Sequence, residues 1–234
     1  MIIRNHERLV RTGEIYGLTP SVTATVSYLP LVVVALFTLG LVLTPTRRMT
    51  IWMLEESRPV EALTFVVFMV AVVAGLNLAW HVHKRGESIL VRMFCSFFCL
   101  ALFLVGMEEI AWGQYIFLFD APDIFQLANQ QREITLHNLP GLHGRNVFLR
   151  FAFGLGGLLG LAAAAVPSLQ RISTPVPLVP GLVVILLLAV IDMACNYWPV
   201  WRPLDLLTWR LAEVLELVIA ITALSYAILN ARRL

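Results

Sequence analysis

Charge is scarce in this chain. Only 14% of its 234 residues are Asp, Glu, Lys or Arg, the formal net charge is +2, and the basic residues are scattered among loops instead of lining one face. Nucleic-acid binding needs a concentrated basic footprint and is excluded. Cysteine is equally sparse: Cys95, Cys99 and Cys195 are odd in number, lie in apolar runs and lack metal-type spacing. They read as small core residues, with neither a disulfide framework nor a zinc site behind them. There is no His-Glu-x-x-His string and no serine or cysteine framed by a base and a third group, which disfavours serine-type acyl chemistry. The absence of internal or inverted repeats places ion-coupled transport below the other functional readings.

What the chain does contain is apolar surface: 59% of residues are hydrophobic and the mean hydropathy is +0.81. Burying several apolar runs of about 20 residues in one small soluble core is unworkable, whereas a helix bundle in lipid exposes them to acyl chains. The expected fold is all-α, a polytopic membrane bundle of six transmembrane helices over 23–43, 60–82, 89–118, 147–166, 176–195 and 206–229. Residues 1–22 form a separate cytoplasmic amino-terminal segment, and 23–234 one transmembrane domain with a long polar loop at 119–146. No apolar stretch comes early enough for a signal peptide, so the first span is expected to be retained.

Six spans put both termini on one side. Arginine and lysine are nearly balanced between the two sides, and a cytoplasmic amino terminus is the working assignment. The third segment exceeds bilayer length, so Gln114 to Phe119 should emerge at the headgroups. In the fourth, Gly156, Gly160 and Ala164 recur every four residues, a pattern that lets a neighbouring helix approach closely.

Two adjacent carboxylates, Glu108 and Glu109, interrupt the third span. Each acid near a bilayer centre costs roughly 2.5 to 3.5 kcal/mol, so such a pair persists only if it is partnered, protonated or facing water or an ion. The topology gathers further polar residues on the same, outward side: Glu61 starts the second span, Asp192 and Asn196 end the fifth, and Arg210, Glu213 and Glu216 start the sixth. The polar loop adds Glu133, His137 and Asn138, and Trp112 and Gln114 follow the acidic pair. Long loops between tight spans are often functional.

One reading is an internal ion-pair network in which Arg210 neutralises a carboxylate and fixes helix register. Another is a divalent metal ion held by Glu108, Glu109, His137 and Glu216, oxygen ligands suiting magnesium, manganese or calcium and the imidazole admitting zinc or iron. A third, without metal, makes one glutamate a general base with His137 as partner. In both catalytic readings Glu108, Glu109 and His137 carry the chemistry, while Glu61, Trp112, Gln114, Glu133, Asn138, Arg210, Glu213 and Glu216 line the site.

The stretch Glu108-Glu109-Ile110-Ala111-Trp112-Gly113-Gln114, followed by Leu136-His137-Asn138 and a glutamate-bearing last span, resembles a family of uncharacterised bacterial polytopic membrane proteins. That resemblance implies a bacterial inner-membrane location but no established reaction, and with six spans the working assignment puts both termini in the cytoplasm. The glutamate pair is also faintly similar to the first motif of the CAAX-protease and bacteriocin-processing family, which activates water with glutamates and histidines. Here Trp112-Gly113-Gln114 stands where that family carries an arginine, and the histidine-bearing helices are missing. The functional expectation is a hydrolase or transferase acting on a lipid or lipid-linked substrate, with membrane lipids as surroundings. The competing expectation is a non-catalytic subunit or assembly factor docked to a partner in a larger membrane complex.

Overall fold

A computed structural model describes residues 12–55, 57–123, 125, 129, 133–135, 146–198 and 202–233. It is all-helical, and six of its helices are long and apolar enough to cross a membrane. The main helices are α1 (Pro20–Val42), α2 (Thr44–Met53), α3 (Pro59–Lys84), α4 (Ile89–Glu109), α5 (Asn146–Leu159), α6 (Val179–Tyr197) and α7 (Arg202–Arg233). The protein is a multi-pass membrane protein.

Local chemistry sets where the helices begin. Pro20 and Pro59 open α1 and α3 at the first turn, where a missing N–H costs nothing. Thr19 and Ser88 cap α1 and α4 by accepting from the Val22 and Val91 amides, each at 3.4 Å. Each span crosses back from the one before, so two faces form. The terminal face holds the start of α1 and the end of α7, where the Arg233 guanidinium lies 5.5 Å from the Tyr16 ring centroid. The opposite, acidic face holds the ends of α4 and α6 and the starts of α3, α5 and α7.

The last helix is the bundle's axis. It packs most extensively against α3, α6 and α1, touches α5, and meets α4 through Tyr226, whose ring lies 5.1 Å from that of Phe98. It contributes to all three core layers: Tyr226 and Leu229 beside Leu78, Val82 and Cys95; Leu215, Val218 and Ala223 beside Phe68 and Ile185; Leu211, Val214 and Leu217 beside Leu41, Leu54 and Val60. Val214, Leu215 and Leu217 are all buried because neighbouring helices surround this part of α7. The outer helices instead expose Leu36, Val73, Phe97 and Leu187, the surface that lipid chains cover.

The structure moves the close-packing face of α5. A side chain at Gly156 would meet nothing within 4 Å, whereas a Cβ at Gly154 would lie 2.9 Å from the Leu186 amide nitrogen on α6. The fourth span also stops being regular near Gly160, continues as a short 3-10 turn over Ala162–Ala165, and folds back so that Thr174 donates to Gly157 O at 2.6 Å. Of the glycines the spacing picked, Gly160 packs against Thr174 but Gly156 faces open space, and the contact with α6 is made by Gly154 and Gly157.

Two departures concern the acidic face. The connection between the first two spans is an additional helix, α2, whose ten residues are too polar and too short to span a membrane. The third span ends at Glu109, earlier than expected. Ala111, Trp112 and Gly113 then take consecutive left-handed backbone conformations, with φ of 44°, 55° and 87°. A single turn, Gln114–Phe117, follows and exposes Ile116 and Phe117.

Candidate carboxylate–guanidinium site

Arg150 organises the acidic face. It sits in α5 within the run Phe148-Leu149-Arg150-Phe151, is only 9% exposed, and reaches two other helices at once. Its NH1 donates to Asp192 Oδ2 on α6 at 3.0 Å, while Nε and NH2 donate to Glu216 Oε1 on α7 at 3.2 and 3.1 Å. The planar guanidinium suits this arrangement because its fixed donors address two acceptors without reorientation. Arg150 was not among the residues expected to build the site. The signal was available: a guanidinium inside an apolar helix demands acidic partners.

Arg210, expected to neutralise a carboxylate, does not do so among the described residues. Its guanidinium lies 4.4 Å from the Trp209 ring centroid, a cation–π contact. Arg150 takes the place that Arg210 was expected to fill.

Around Arg150 the structure gathers four of the expected glutamates. Glu109, partly exposed at the last turn of α4, lies within electrostatic reach of Glu216, Glu213, Glu61 and Arg150. Glu61 accepts a hydrogen bond from the Ser57 amide, closing the turn that precedes α3. Asp192 and Glu216 are committed to Arg150. Among the described residues Glu109 makes no hydrogen bond or ion pair, which sets it apart within the cluster.

Glu108 points to a different partner. Its Oε1 accepts from Trp112 Nε1 at 2.7 Å, even though Trp112 has left the helix. The two residues are four apart in sequence, but the bond is made across a left-handed turn and not along a helix face. Left-handed conformations at the non-glycine residues Ala111 and Trp112 carry roughly 1–3 kcal/mol of strain each, a burden characteristic of functional turns. Gly113 is the permissive member, and a Cβ there would press on the Phe117 ring at 3.0 Å.

The polar loop is tied to this turn. Gln114 Oε1 accepts from the Ile134 amide at 3.0 Å, and the Asn129 side-chain amide donates to Thr135 O and Oγ1 at 2.9 and 3.0 Å. Asn129, Glu133 and Thr135 are buried. These described residues thus pack inward beside the acidic turn. His137 and Asn138 lie outside the described residues, as does the amino-terminal stretch 1–11.

Among the described residues no group of three or more His, Cys, Asp or Glu side chains is placed to hold a metal ion. Glu108, Glu109 and Glu216, three of the four expected ligands, do not form such a group; Glu216 is turned to Arg150 and Glu108 to Trp112. The chemistry legible in these side chains is that of acids around a guanidinium. No family model, no curated protein and no solved structure matches the chain.

Proposed function

We propose that this protein is a membrane enzyme of the hydrolase or transferase type, acting on a lipid or lipid-linked substrate at the acidic face, with Glu109 as the proton acceptor. The observation that carries the reading is the contrast between Glu109 and its neighbours: Asp192 and Glu216 are held by Arg150, whereas Glu109 has no such bond among the described residues. A general base needs a carboxylate that is positioned and not already engaged. The Arg150 triad positions α5, α6 and α7 around it, and the Glu108–Trp112 turn with Gln114 and Ile134 forms an adjoining wall. A site at the end of the spans is reached by substrate moving laterally in the leaflet. In this reading the acidic face is outward and both termini are cytoplasmic, in a bacterial inner membrane.

The test is direct. Purified protein is placed in nanodiscs made from its host's total lipid extract, and lipid species are followed by mass spectrometry. A species should be consumed with time by the wild type and left untouched by Glu109→Gln at equal folded yield. Equal lipid profiles for the two proteins would overturn the reading.

One observation favours a second reading. Arg150 is fully engaged by acids from two other helices, as expected of a structural clasp in a non-catalytic subunit or assembly factor. Stoichiometric co-purification of a membrane partner, together with unaltered lipids, would select it.

A further inference from the structure

The acidic face carries a second polar feature, built on α2 and separate from the carboxylate cluster. The back of α2 is fixed to α1: Thr46 Oγ1 donates to Gly40 O at 3.1 Å, and buried Thr50 packs where Gly40 has no side chain to obstruct it. Its front is a groove of about 420 Å³ lined by Thr44, Arg47, Arg48, Ile51, Trp52 and Glu55. The three- and four-residue spacing of Thr44, Arg47, Arg48, Ile51 and Trp52 places them on one face of α2, and Glu55 follows just past its end. Arg47 and Arg48 are exposed, and among the described residues neither forms an ion pair. Arg58 flanks the groove with its guanidinium 5.5 Å from the Trp52 ring centroid and its Nε 3.9 Å from Glu55 Oε2.

We propose that this groove binds the phosphate of an anionic membrane phospholipid, with Arg47 and Arg48 donating to the phosphate oxygens and Ile51 and Trp52 contacting the glycerol and the first acyl carbons. Arginine forks match phosphate oxygens in pairs, and a tryptophan is at home at the headgroup level. The pairing of two uncommitted cations with an apolar wall, on a helix joined to the ends of two spans, fits a lipid phosphate better than a free one. Glu55 opposes the anion from within the lining. The site stands whether or not Glu109 is a catalytic base.

The test is competitive retention. Detergent-purified protein is equilibrated with equal amounts of phosphatidylglycerol and phosphatidylcholine, and bound lipid is counted by native mass spectrometry. The wild type retains phosphatidylglycerol preferentially. Arg47→Gln with Arg48→Gln lowers that preference by about fivefold per arginine, while Lys84→Gln on the terminal face leaves it unchanged. Glu55→Gln, which keeps both arginines, raises it. An equal ratio in the wild type and the double variant, no rise with Glu55→Gln, or displacement of the lipid by a millimolar excess of inorganic phosphate would each overturn the proposal.

Discussion

At the scale of single residues, two kinds of charge divide the work of the acidic face. Arg150 is structural: it connects α5 to α6 and α7 through Asp192 and Glu216. Removing one partner of a buried charge network leaves the others uncompensated, so Arg150→Met should destabilise the protein by about 3 kcal/mol or more. Adding Asp192→Asn and Glu216→Gln to that variant should restore much of the loss. Thermal unfolding in detergent reads both, and a triple variant no more stable than Arg150→Met would contradict the clasp. Glu109 was legible in the sequence because a carboxylate in an apolar run has few innocent explanations. The same reasoning applied to Arg150, a guanidinium in the apolar run Phe148-Leu149-Arg150-Phe151, points to the clasp.

At the scale of elements, the sequence was most informative where hydropathy changes sharply and least where backbone conformation departs from a helix. The long spans follow from unbroken apolar runs. The left-handed turn at Ala111, Trp112 and Gly113 does not, since Ala and Trp carry no propensity for it and Gly113 alone hints at a break. Helix α2 was missed because its arginines and threonines look like a polar connection. The α5–α6 contact is misread by spacing alone, because a small residue every four positions does not say which side meets the neighbour. Gly154→Val should therefore cost about 1–3 kcal/mol through its clash with Leu186, while Gly156→Val, directed into open space, should cost much less. Detergent unfolding curves for the two variants check this, and equal losses would contradict the assigned face.

At the scale of the whole molecule, α7 makes the bundle one unit, passing through every core layer while the other spans wrap it. Six spans return the described chain to the face it started from, where Arg233 also donates to Ser173 Oγ at 2.6 Å. Reporter fusions at the two ends should accordingly sense the same compartment, and an insertion in the Ser57 turn the other one. Opposite readings for the two ends would require an odd number of crossings.

The central claim is that Glu109 acts on substrate while Arg150 holds the helices that surround it. Its most direct test pairs unfolding temperature with lipid turnover for Glu109→Gln in nanodiscs of host lipid. The account predicts an unfolding temperature close to that of the wild type and turnover abolished. Turnover that survives in a folded Glu109→Gln protein would contradict it.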